Sequence, residues 1–154
     1  LFSASLLLFT ATAAVAQTGL PIPRFVSVRA AEANLRTGPG VRYPIAWVYL
    51  KRGLPMEIIA EFDTWRMVRD HEGEEGWLHQ SLLSGKRTVL ITAEIASLRR
   101  RPDETAPVVA RAQEGVIADI DGCQGAWCEI EAGGFTGWVP RRTLWGVYPG
   151  ETLD

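Results

Sequence analysis

Two cysteines, two histidines, a short run of carboxylates and two clusters of arginine are the residues of this 154-residue chain that could do chemistry. Cys123 and Cys128 enclose four residues, with Gly125 between them to make a bend. A zinc site would need more ligands at suitable spacing, and His71 and His79 lie far upstream. A nucleophilic cysteine would need a partnered base, and only the same two histidines could serve. The run Asp70-His71-Glu72-Gly73-Glu74-Glu75 has the charge to attract a cation, but its spacing matches no calcium loop. It reads as a solvated hairpin tip. No catalytic residue, metal ligand or cofactor site is therefore expected, and the chain is expected not to be an enzyme.

Composition points the same way. The chain is 47% hydrophobic and 22% charged with a net charge of −2, so nothing in it demands a nucleic-acid or membrane partner. Of its 16 basic residues only Lys51 and Lys86 are lysines. Arginine suits planar, bidentate capture of carboxylate or phosphate better than lysine does.

The opening segment carries no charge before Arg24. Leu6-Leu7-Leu8-Phe9 begins an apolar core, and Ala14-Val15-Ala16 before Gln17 has the form of a signal-peptidase site. The basic region and initiator Met of such a signal are missing, so the sequence is expected to begin within it. An uncleaved anchor would want about 20 strongly apolar residues, whereas this segment soon dilutes into Ala, Thr and Gln. The expectation is cleavage near Ala16 and a periplasmic or secreted mature chain without a membrane span. In an oxidising compartment Cys123 and Cys128 are most simply a disulfide. So short a loop would contribute on the order of 2 kcal/mol.

The elements that must position these residues come as short β-type runs with Gly/Pro punctuation, about ten residues apart. They come twice. Trp65 and Trp127 are 62 residues apart, and Gly76 and Gly137 are 61 apart. Val89-Leu90-Ile91 matches Val26-Ser27-Val28, and Ser97-Leu98-Arg99-Arg100-Arg101-Pro102 matches Asn34-Leu35-Arg36-Thr37-Gly38-Pro39. This near-constant offset is an internal repeat. The stretches at 33–40 and 97–102 read as turn-rich loops, and Gln80–Leu83 and Arg141–Leu144 as single 3₁₀ turns. Trp65, Trp77, Trp127 and Trp138 are assigned mainly to structure.

The string N-L-R-T-G-P-G at 34–40, W-x-x-V at 65–68 and the G-W-(L/V) elements at 76–78 and 137–139 resemble the bacterial SH3-like domain family. The segment W-C-E-I-E-A-G-G-F-T-G-W-V-P-R-R-T-L-W is similar to the exported, tandem-repeat branch of Gram-negative bacteria. The resemblance implies an all-β chain of two tandem SH3-like small β-barrels, each five-stranded and partly open. It divides the chain into a signal peptide (1–16), an extended leader (17–24), a first domain (25–87), a second (88–149) and a tail (150–154). Copy two departs from the pattern where Arg101 stands in place of Gly38. An arginine there would be strained if that position needed a positive φ. With cysteines in copy two only, copy one is expected to hold its hairpin by packing alone.

The role implied by the resemblance is binding, with peptidoglycan or its stem peptides as ligand. The alternative is a periplasmic protein–protein interaction adaptor, on which a partner protein docks. If the loop after the first strand and the turn after the G-W strand flank one surface, Arg99, Arg100 and Arg101 approach Arg141 and Arg142, with Trp145 and Tyr148 nearby. Such a patch could clamp wall-peptide carboxylates by charge-assisted bonds, with the aromatic faces adding contact. The opposite reading, a solvated rim balanced by Asp103 and Glu104, stays open at this point.

Overall fold

Alternation of buried and half-buried residues, as along Trp65–Arg69 and Glu75–His79, turns nearly every run of this chain into a strand. The computed structural model describes residues 17–153. The expected signal segment, 1–16, lies outside the described residues. The first copy holds β1 (Arg24–Val28), β2 (Ala33–Arg36), β3 (Ile45–Tyr49), β4 (Pro55–Phe62), β5 (Trp65–Arg69), β6 (Glu75–His79) and β7 (Leu83–Ser84). The second holds β8 (Thr88–Ile91), β9 (Ile95–Arg99), β10 (Val108–Gln113), β11 (Ile117–Gln124), β12 (Trp127–Ala132), β13 (Phe135–Pro140) and β14 (Leu144–Trp145). The 3₁₀ turns fall at Gln80–Leu82 and Arg141–Thr143.

Each copy is a seven-stranded antiparallel sheet, and the order is the same in both: β3-β2-β6-β5-β4-β1-β7 and β10-β9-β13-β12-β11-β8-β14. The all-β class and the duplication thus stand, but the expected five-stranded barrels do not. Neither sheet closes, because the end strands β3 and β7, and β10 and β14, are not hydrogen-bonded to each other. The added strands are β2 and β9, read from sequence as loops, and the two-residue strands β7 and β14. Ala33 and Leu35 point inward from β2 while Asn34 and Arg36 stay half-buried, an alternation too short to stand out among turn residues.

β2 and β9 cross closely over the glycines of the G-W motif. A Cβ on Gly76 would lie 2.6 Å from Leu35 Cγ and 2.9 Å from the Arg36 carbonyl. On Gly137 it would lie 2.8 Å from Leu98 Cβ and 3.1 Å from the Arg99 carbonyl. The repeated glycine is there because another strand occupies the space of its side chain.

Copy-one side chains Val28, Leu35, Met56, Ile58, Val68 and Leu78 form one core; Val89, Ile91, Leu98, Ile130 and Val139 form much of the other. Leu90 of copy two belongs to the copy-one core. β8 is therefore buried on both faces: Val89 and Ile91 point into copy two, and Leu90 into copy one. Around it Thr88 donates to the Gly53 carbonyl, Ser27 to the Lys86 carbonyl (2.7 Å), and Tyr148 to Glu57 (2.8 Å). These bonds tie the two copies directly to each other.

The hairpins at equivalent places are held differently. Cys123 and Cys128 face each other across β11 and β12 and are disulfide-bonded, with Cα atoms 4.0 Å apart. In copy one, Glu61 and Arg66 are the facing pair. Glu61 meets Arg66 at 3.7 Å and Arg24 at 2.8 Å, and accepts bonds from the Thr18 amide and hydroxyl. Packing alone, the expectation for copy one, is thus corrected: an ion cluster pins its hairpin and ties down the leader.

Leu90→Ala should cost about 2–4 kcal/mol by opening a cavity in the shared core. Scanning calorimetry of the parent should give one endotherm, shifted down on the order of 10 °C in the variant; two separate peaks would contradict a shared core. Acid should loosen the same framework. Burial opposes ionisation of Glu61, but the Thr18 and Arg24 bonds outweigh it and hold its pKa below the usual 4.5. Glu151 is likewise held below 4.5, chiefly by Arg87, whose guanidinium bonds both carboxylate oxygens (2.7 and 3.0 Å). Depressed folded values stabilise fully above the unfolded pKa and lose that contribution as pH falls through them. The melting temperature should therefore start to fall as pH drops below about 4.5, and Glu151→Gln should flatten that decline.

Candidate functional site

Copy two carries an open cleft of about 670 Å³ between the β9–β10 loop and the end of the β11–β12 hairpin. Pro102, Asp103, Glu104 and Thr105 form one wall, and Ala126, Trp127 and Arg142 the other. The loop wall is fixed locally. Asp103 accepts from the Thr105 amide (2.9 Å) and hydroxyl (3.0 Å), and these bonds, helped by the Arg101 and Arg99 charges, hold its carboxyl below the usual range. The opposite wall is set by the 3₁₀ turn, where Thr143 donates to the Pro140 carbonyl (2.7 Å) and the Arg141 amide to Ala126 (2.7 Å). That turn leaves Arg142 exposed at the cleft.

The six residues singled out from sequence divide into groups. Arg100 and Arg142 are exposed, and Arg142 lines the cleft. Arg99 donates to the Ala106 carbonyl at 2.9 Å, just as Arg36 donates to the Tyr43 carbonyl at 2.9 Å in copy one. It braces the loop from beneath. Arg141 spreads its guanidinium over three carbonyls: Gly125 (2.9 and 3.1 Å), Tyr148 (2.8 Å) and Glu151 (2.9 Å). Trp145 and Tyr148 lie in the seam between the copies, their rings 5.0 and 4.5 Å from that of Phe25. Burial, then the bond to Glu57, pushes the Tyr148 hydroxyl pKa above its ordinary value. The structure therefore does not bring the six together on one surface.

Arg101 is not strained. Gly38, its counterpart, does not have a positive φ; a Cβ there would instead strike the Tyr43 ring at 2.5 Å. Copy two has Ala106 at the place of Tyr43, both pairs being 63 residues apart, so the ring is gone and a side chain fits. Trp127 was assigned to structure from sequence and proves half-buried, with part of its surface lining the cleft. No sequence signal separates such a partly exposed ring from a core one. Among the described residues no group of three or more His, Cys, Asp or Glu is placed to hold a metal ion.

The profile of the bacterial SH3 domain matches this chain twice, over residues 29–85 and 92–146. The chain belongs to the bacterial SH3 domain family. It is similar to a Bacillus subtilis (strain 168) protein named putative N-acetylmuramoyl-L-alanine amidase YrvJ, 28% identical over 142 residues. That match takes in 79% of this chain but 27% of the relative, so the chain spans about a quarter of that protein's length. Two solved structures of Trichomonas vaginalis proteins, NlpC2 and NlpC1, superpose loosely, with TM-scores of 0.37 and 0.38 at 12% and 13% identity. They cover 80% and 97% of this chain, which in turn covers 48% and 53% of theirs.

In this tandem of bacterial SH3 copies, Arg141 and Arg142 are adjacent yet differently engaged. Arg141→Ala should lower stability by about 2–3 kcal/mol, since it leaves several carbonyls without their charged donor. Arg142→Ala should stay within about 0.5 kcal/mol. Urea unfolding of both variants checks the contrast.

Proposed function

We propose that the chain is a non-catalytic, exported binding module of the Gram-negative tandem branch that holds cell-wall peptidoglycan by its stem peptides, through the copy-two cleft. The observation that carries this reading is the mixed charge of that cleft. Arg142 stands beside Trp127 on one wall, and Asp103 and Glu104 face them from the other. Arg100 is exposed at the base of the loop. A peptide bearing free carboxylates and an amine finds a partner for each, and the Trp127 ring offers apolar contact between them. Membership of the bacterial SH3 domain family supports a binding role, and the name of the Bacillus subtilis relative supports a cell-wall setting. The disulfide fits an oxidising compartment. No helix among the described residues is long and apolar enough to cross a membrane.

One observation favours the second reading, a protein–protein adaptor. Each sheet ends in a strand, β3 or β10, with one side unpaired, onto which a partner's strand can add.

The full chain should co-sediment with purified sacculi. Arg142→Glu combined with Arg100→Glu should weaken this about tenfold, at roughly 1.4 kcal/mol for two exposed charge-assisted contacts. Retention on periplasmic protein extracts without any sacculus binding would favour the adaptor, and robust hydrolysis of sacculi by the pure chain would overturn the non-catalytic reading.

A further inference from the structure

Of the six tryptophans, four form repeat pairs, Trp65 with Trp127 and Trp77 with Trp138, and Trp145 seals the seam against Phe25. Trp47 has neither explanation. It lies opposite Leu35 on β3; the equivalent position of copy two, opposite Leu98 on β10, is Ala110. The strand can therefore be built without an indole there. Trp47 is 57% exposed, and Leu50 beside it is 71% exposed.

These two residues border a cleft of about 320 Å³ where the copies meet. Leu54 of copy one and Leu90 of copy two also line it, so its interior is apolar and is held by the shared core. Clefts of this kind, at a domain junction with few polar groups, are where small ligands and single side chains bind. The polar groups are Asp70, His71 and Glu72 from the β5–β6 loop and Lys51 from the turn after β3. Asp70 is buried and already committed. It accepts from the Tyr49 hydroxyl (2.8 Å) and from the Glu72 and Glu74 amides (both 2.9 Å). Burial, then the bond to Asp70 and the charges of Asp70, Glu74 and Glu72, raise the Tyr49 pKa. The Glu72 carboxylate is 78% exposed and 3.6 Å from the His71 ring. Two carboxylates thus line the cleft against one ammonium, that of Lys51.

We propose that this inter-copy cleft, around Trp47 and Glu72, is a recognition site for a primary ammonium group on an apolar stem, as in a lysine or other diamino-acid side chain of a peptide. The stem lies between Leu50, Leu54 and Leu90. The ammonium sits against the Trp47 ring, whose face attracts cations, and donates to Glu72 in a charge-assisted bond. An anionic side chain would meet Asp70 and Glu72 and be repelled. The site is separate from the copy-two cleft and stands whether or not that cleft binds the cell wall.

The test follows the indole N–H signals of the full chain by NMR at neutral pH, with the Trp47 signal assigned by its loss in Trp47→Phe. The probe is a blocked tripeptide, N-acetyl-Ala-Lys-Ala-amide, compared with the same peptide acetylated on its lysine ε-amine. The free-amine peptide should shift the Trp47 signal saturably, and the acetylated one should bind at least about fivefold more weakly. Glu72→Gln should weaken the free-amine peptide to a similar degree. Trp47→Ala, at an exposed position, should abolish saturable binding, read by calorimetry, while leaving the melting temperature in place. Arg142→Glu should leave peptide binding intact, which separates this site from the copy-two cleft. Equal shifts from both peptides, no saturable shift, or tighter binding of an N-acetylglucosamine oligomer at the same indole would each overturn the proposal.

Discussion

One strand belongs to two cores. β8 sends Val89 and Ile91 into its own sheet and Leu90 into the other, and every residue in it is buried. A lone seven-stranded sheet of about 60 residues buries too little surface to be more than marginally stable. Sharing a strand lets copy two complete the core of copy one, and it ties the two together, because moving one copy would drag Leu90 out of the other. Thr88, Tyr148 and Lys86 then satisfy polar groups along the same seam. The cleft beside Trp47 takes part of its wall from this join, through Leu90.

Duplication preserved the constraints and released the rest. Gly76 and Gly137 remain glycine because a crossing strand fills the space where a side chain would go. Arg36 and Arg99 brace equivalent loops from beneath with equivalent bonds. Elsewhere the copies solve one problem in two ways. An ion cluster around Glu61 stands where copy two has its disulfide, and a ring over a bare glycine, Tyr43 on Gly38, is replaced by Arg101 with Ala106. The second exchange makes room for the exposed Arg101 on the copy-two loop, next to Arg100. The copies thus offer different surfaces, a mixed-charge cleft on one and an aromatic, acid-lined cleft at the border of the other.

Chain order alone determined the β class, the duplication and the Cys123–Cys128 pairing. Each of these follows from local facts: residue type, period-two alternation, spacing, and a loop too short to be anything but a hairpin. β2 and β9 escaped because four or five residues among Gly and Pro carry too little alternation to register. Sheet closure escaped because it depends on whether end strands meet, which no single strand encodes. Only the tertiary structure could decide which arginines are free. Arg141 and Arg142 are neighbours in sequence, yet one is consumed by carbonyls of the hairpin and the tail while the other faces solvent. Hydrogen bonding between residues distant in the chain makes that choice, while ring packing on Phe25 places Trp145 and Tyr148 in the seam and Trp47 stays exposed at the cleft between the copies.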